Sequence, residues 1–234
     1  MPRVRLLLLL TTTLALALCA PLLVNTTRAD GGPQHRVSSD LYGVSGGNVN
    51  DRTRRFCCSG TLGALVRSAA GTNYILSNNH VLARSNQAAI GEDVSQPGMI
   101  DVNCQVTEIV ADLSAYPNLN TSNVDAAVAA LRGTAMNTNG SILDIGIPSS
   151  TIRNASVGLS VAKSGRTTGF TTGTIGSVDT DVGVQYTREC GGGKKFVINF
   201  TDQVVINSST FSAGGDSGSL IVTNDSCHQP VALL

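Results

Sequence analysis

The chain has 234 residues, 16 basic and 16 acidic side chains, no tryptophan and only 4% aromatic residues. The length suits one compact all-β unit or two small subdomains, with room for a sizeable core. A formal net charge of zero gives no pull toward nucleic acid or an anionic membrane surface, and so few aromatics supply no base-stacking platform.

The chain opens on an export signal. Arg3 and Arg5 precede an apolar run over residues 6–24, broken by Thr11, Thr12 and Thr13. Thr27-Arg28-Ala29 then offers a small-x-small cleavage site before Asp30. The expectation is a secreted protein that has lost residues 1–29. An uncleaved membrane anchor is the alternative, because the run is near spanning length. Lipidation at Cys19 is disfavoured by Leu18 just before it.

Of the six cysteines, Cys19 leaves with the signal; Cys57, Cys58, Cys104, Cys190 and Cys227 remain. An exported chain keeps disulfides. An odd number implies at least one thiol that is free or paired outside the chain. No C-x-x-C spacing and no H-E-x-x-H is present, and His35, His80 and His228 are scattered, so neither a metal nor an organic cofactor is expected.

Residues 30–42 are polar and irregular and read as a short pro-segment or loose arm. From residue 43 onward, short apolar runs alternate with Gly, Asn, Asp and Ser clusters. Residues 61–67 and 73–76 read as strands around a turn at Ala70-Gly71-Thr72. Residues 125–131 read as another strand, although their alanines would also suit a helix. Residues 136–150 look like a connector. Further strands are expected over 157–163, 173–178, 182–187, 195–202, 203–206 and 219–222. No stretch sustains a helical period, so a barrel or sandwich is expected.

Three segments carry chemistry. In Gly214-Gly215-Asp216-Ser217-Gly218-Ser219, glycines around a serine let the backbone aim amides at a developing oxyanion. The serine needs a base to become a nucleophile. In Leu76-Ser77-Asn78-Asn79-His80-Val81-Leu82 a strand runs through a polar turn onto a histidine. In Asn123-Val124-Asp125-Ala126-Ala127-Val128 a lone carboxylate opens an apolar run, where burial would demand a partner. Each segment alone has an ordinary reading as a surface turn, a satisfied histidine or a strand-end aspartate. Together they stand in the order His, Asp, Ser, and the serine loop fails the G-x-S-x-G pattern of α/β-hydrolases.

The chain from about residue 43 onward resembles the chymotrypsin-like serine peptidases. Ser164-Gly165-Arg166-Thr167-Thr168-Gly169 further resembles bacterial members of the α-lytic type. The resemblance implies an all-β fold of two six-stranded antiparallel barrels, residues 43–135 and 151–234, with the active site between them. It implies an endopeptidase acting on protein or peptide substrates through an acyl-enzyme on Ser217. His80 and Asp125 complete the triad, and the amides of Gly215 and Ser217 form the oxyanion hole. Asp216 is expected to pair with Arg166. Phe211 matches the base of the specificity pocket, so a preference for Lys or Arg is not expected. Disulfides are expected within each barrel: Cys57 or Cys58 with Cys104, and Cys190 with Cys227. The protein is read as a monomer, off the membrane once the signal is cut. Two departures stand out. The cysteine that follows the histidine in animal enzymes is missing, and the chain stops at Leu234, soon after Ser217, leaving the second barrel incomplete. The competing readings are a catalytically inactive binding module or a fragment on the same fold, or a chain that cuts only itself.

Overall fold

A computed structural model describes residues 33–234; the expected export signal and cleavage site, and Cys19, lie outside the described residues. The described chain is almost wholly β. The first sheet contains β1 (Val44–Asn48), β2 (Gly60–Leu62), β3 (Ala64–Arg67), β4 (Asn73–Ser77), β5 (Asp93–Gln96), β6 (Glu108–Ala115) and β7 (Ala127–Leu131), in the order β2-β1-β5-β6-β7-β4-β3. The two end strands, β2 and β3, are consecutive in the chain and separated only by Gly63. The sheet therefore closes on itself as a barrel of six walls. The second sheet contains β8 (Ser160–Gly165), β9 (Gly169–Glu189), β10 (Gly192–Ile206), β11 (Leu220–Thr223) and β12 (Pro230–Leu233), in the order β10-β9-β8-β11-β12. It forms a half-barrel beside the first.

The first core is built by small and branched side chains. Val44, Leu62, Ile75, Val94, Val110, Leu113 and Ala129 are all buried there. β7 settles the ambiguity of its alanines. Ala127 and Ala129 alternate inward, and the strand pairs with both β4 and β6. Period-two burial is incompatible with a helix. Val161, Ile175, Phe211 and Ile221 form the core of the half-barrel.

The sequence breaks β9 and β10 into four short strands, whereas the structure joins them into one hairpin of two long strands. Asp179 and Asp202, which look like turn residues, take φ of 51° and 57° and accompany register shifts in the pairing. They bulge the ladder without ending it, as aspartate in the left-handed region can. β1, β5 and β6 carry no clear signal in the sequence.

Cys57 bonds to Cys104 within the first barrel, as expected. The second expectation fails. Cys190, at the tip of the β9–β10 hairpin, bonds to Cys58 and so ties the two barrels together. No cysteine is free among the described residues. The hairpin is longer than its segments suggest, and its tip reaches the first barrel.

The described part of the arm is packed rather than loose. Residues Pro33–Arg36 form one 3-10 turn, and His35 is fully buried. His35 Nε2 lies 3.0 Å from Ser164 Oγ and 3.4 Å from Asp144 Oδ2. Burial, aided by the charge of Lys163 and opposed by Asp216, pushes the imidazole down to about 4, so it is neutral at pH 7. The unfolded chain protonates near 6.5 and the folded one near 4. Folding stability therefore falls as the pH drops from about 6.5 to 4, by about 3 kcal/mol from this group. Urea unfolding at pH 7 and at pH 4 should show His35→Gln losing about 3 kcal/mol less than the native protein over that interval.

Candidate active site

β4 ends at Ser77, and the chain turns at once into a single helical turn, α1 (Asn79–Leu82), which carries His80. Three polar residues fix that turn by binding backbone. Ser77 Oγ donates to Thr61 O at 2.6 Å, Asn78 Nδ2 to Asp125 O at 2.7 Å, and Asn79 Nδ2 to Pro117 O at 2.8 Å. Each side chain satisfies a carbonyl that would otherwise be stranded at the barrel rim. The Ser-Asn-Asn run was the sequence signal for this support, though its role needed the fold.

Asp125 stands just ahead of β7, beside His80. Its Oδ2 lies 2.5 Å from His80 Nδ1, and its Oδ1 accepts the His80 backbone N–H at 3.1 Å. Tyr186 Oη donates to the same Oδ2 at 2.8 Å. Burial opposes the charge on Asp125, but the bonds and charge of His80, with the bond from Tyr186, outweigh it and hold the carboxyl below its usual range. Tyr186 went unnoticed in the sequence, because a tyrosine in a strand has no motif around it.

Ser217 enters from the second barrel. A cleft of about 380 Å³ is lined by His80, Tyr186, Gly215 and Ser217, with Asp51 and Arg84 further along it. No hydrogen bond joins Ser217 Oγ to His80 in this structure. Gly215 has φ of 103°, and a Cβ there would stand 2.5 Å from Thr167 Oγ1 and 2.7 Å from Arg166 Nη1. Only glycine fits this conformation and this space. The Asp216 and Gly218 amides donate to Ala213 O and Leu234 O, whereas those of Gly215 and Ser217 donate to no protein acceptor.

Asp216 is fully buried under this loop. Its oxygens accept the amides of Thr167 (2.7 Å), Thr168 (3.1 Å) and Ala213 (2.9 Å) and the hydroxyl of Thr168 (2.7 Å). Its cation is not Arg166. The fully buried Lys163 holds Nζ 3.4 Å from Asp216 Oδ2 and also bonds Thr168 Oγ1 and Gly169 O. Burial again opposes ionisation, and Thr168, the backbone amides and Lys163 together prevail, lowering the carboxyl's pKa. Arg166 instead grips Asp101 of the first barrel with two bonds, Nε at 2.7 Å and Nη2 at 2.6 Å. The planar fork suits that bidentate pairing across the seam. The sequence pointed to Arg166 through a motif and passed over Lys163 as an ordinary strand residue.

Phe211 is also placed differently from the expectation. It is 3% exposed, packed with Val161, Ile175 and Ile221 in the half-barrel core, and is not among the residues lining the cleft.

The peptidase family S64 profile matches residues 56–234. No curated protein matches the chain. Solved structures resemble it at the level of fold. A glutamic-acid-specific serine protease, described as using a histidine triad in substrate binding, has 22% identity and a TM-score of 0.53 over 78% of this chain and 79% of that one. The Nocardiopsis protease has 18% identity and a TM-score of 0.51, covering 81% and 80%. Thermobifida fusca protease A has 19% identity and a TM-score of 0.51, covering 81% and 79%. The protein is thus a serine peptidase with the chymotrypsin-like two-barrel fold. Within that class, the chain belongs to peptidase family S64.

The Lys163–Asp216 pair yields a stability prediction. Lys163→Met leaves a buried carboxylate without its cation and should cost about 3–5 kcal/mol in urea unfolding at pH 7. A depressed acid stabilises the fold above its ordinary pKa and loses that contribution as the pH falls through the folded value. The deficit of the variant should therefore shrink in strong acid.

Proposed function

We propose that the protein is an endopeptidase that works through an acyl-enzyme on Ser217. The observation that carries this reading is the convergence of His80, already joined to Asp125, and Ser217 on one cleft, beside two amides with no protein partner. In this reading His80 Nε2 takes the Ser217 proton as Oγ attacks the peptide carbonyl, and later returns a proton to the leaving amine. Asp125 holds His80 in the required orientation and stabilises its cationic form. The amides of Gly215 and Ser217 receive the oxyanion, where preorganised donors act most strongly because they need no reorganisation. Asp216 and Lys163 hold the loop that presents those amides. Export fits the Cys57–Cys104 and Cys58–Cys190 bridges and the signal read at the N-terminus of the sequence, and the reading takes the protein as a monomer.

Ser217→Ala should lower kcat by about 10⁴-fold or more on a peptide substrate, leaving the residual catalysis of the oxyanion hole and of binding. A fluorophosphonate probe should label the native protein at Ser217 and fail to label Ser217→Ala. Undiminished hydrolysis by that variant would overturn the assignment.

A further inference from the structure

The β9–β10 hairpin extends well beyond what the half-barrel needs. Its base packs into that core through Ile175 and Ile206 beside Phe211. Its outer half leaves the half-barrel and crosses to the first barrel. There Asn123, two residues ahead of Asp125, exchanges bonds with Thr201: Nδ2 donates to Thr201 O at 2.8 Å, and Thr201 N donates to Asn123 Oδ1 at 2.7 Å. Near the tip, Gln87 Nε2 donates to Arg188 O at 2.7 Å, and Cys190 is bonded to Cys58. Between these fixed points sits Tyr186. Its ring is stacked on Phe196 at 5.5 Å, packs with Leu119 and Phe200, and meets the His80 ring edge-on at 5.6 Å. Its hydroxyl donates to Asp125 Oδ2, the oxygen that also faces His80 Nδ1.

We propose that Tyr186 is a positioning residue of the His80–Asp125 pair, held in place by the Cys58–Cys190 bridge. This rests on the reading of Ser217, His80 and Asp125 as the catalytic set. A two-stranded ribbon with little core of its own does not hold a fixed position. The bridge and the Asn123–Thr201 pair supply the anchors at either end. Burial and the Asp125 charge raise the ionisation of Tyr186 well above neutral pH, so the phenol remains a donor. It takes up part of the charge on Oδ2. It thereby limits how strongly Asp125 favours the imidazolium, and its ring keeps the imidazole from swinging out of line with Ser217. Removing the hydroxyl leaves more charge for the imidazolium to meet, so protonated His80 persists to higher pH.

Other charged groups face the same cleft. Asp51 and Arg84 come from the first barrel, and Arg188 and Glu189 from further along β9. Burial pushes Asp51 up to about 6, against the charges of Arg84 and His80. Its titration falls in the range of interest, so the pH profiles are to be run in both the native and the Asp51→Asn backgrounds.

The experiment compares the native chain with Tyr186→Phe, with the Cys58→Ser/Cys190→Ser pair, and with all three changes together. The readouts are fluorophosphonate labelling, the pH profile of kcat/KM on a peptide, and the low-field proton resonance of His80 Nδ1. Tyr186→Phe should still be labelled, with kcat about tenfold lower and KM little changed. The acidic limb should move up by about half a pH unit and the resonance should shift. Loss of the bridge should move the same readouts in the same direction, and the triple variant should add little, because both changes remove one interaction. An unmoved acidic limb and resonance in Tyr186→Phe would overturn the proposal. So would faster turnover without the bridge, which would mark the hairpin as an obstruction. A native chain that the probe fails to label would instead remove the catalytic reading and this proposal with it.

Discussion

Thr61 is where the two barrels and all parts of the cleft meet. It is fully buried, and its polar groups together bond three separate segments. Its amide donates to Ser217 O at 2.8 Å, and its hydroxyl donates to Gly215 O at 2.9 Å. The same hydroxyl accepts the Arg166 amide at 3.0 Å, and its carbonyl accepts Ser77 Oγ. A buried backbone group without a partner is costly, so these bonds cannot be exchanged for others without loss. One strand of the first barrel thereby fixes the serine loop, the turn after β8, and the strand end that leads to His80. Next to it, a Cβ on Gly63 would run into the carbonyl of Gly218, which keeps the barrels in backbone contact at this seam.

Two buried ion pairs flank the seam and divide the work. Lys163 and Asp216 lie within the half-barrel, whereas Arg166 and Asp101 cross between barrels. Charges taken out of water give little net stability even when paired. Their value is in geometry: Asp216 is held by four further hydrogen bonds, and Arg166 lies against the backbone of Gly215. Ser45 Oγ donates to Asp101 Oδ2 at 2.5 Å and completes that carboxylate's shell. The loop that presents Ser217 is thus braced from both sides, and the brace is assembled from residues up to 115 positions apart in the chain, Asp101 to Asp216.

The hairpin brings a third contribution to the same site. In the first barrel alone, the Asp125 carboxylate would bond only to His80. Tyr186 adds a donor and an aromatic face from a strand that belongs to the other sheet. The second barrel therefore brings two side chains to this cleft, Ser217 and Tyr186.

His80, Asp125 and Ser217 stand out in the sequence as candidates because each sits in a local pattern: a polar turn after a strand, a carboxylate opening an apolar run, and glycines around a serine. The all-β class was legible from short apolar runs without helical period; the sequence offered Cys57 or Cys58 as the partner of Cys104, and the structure picks Cys57. The sequence could not assign a cation to Asp216. Lys163 and Arg166 are three residues apart, and only the packing of β8 decides which ammonium or guanidinium reaches the carboxylate. Nor could it place Phe211, whose neighbours Val161 and Ile175 are distant in the chain. Cys190 paired across the barrels because Asp179 and Asp202 bulge the hairpin rather than end it, a choice between turn and bulge that depends on the partner strand. Local chemistry is written in local residues, whereas partners set by strand length, register and burial exist only once the sheets have closed.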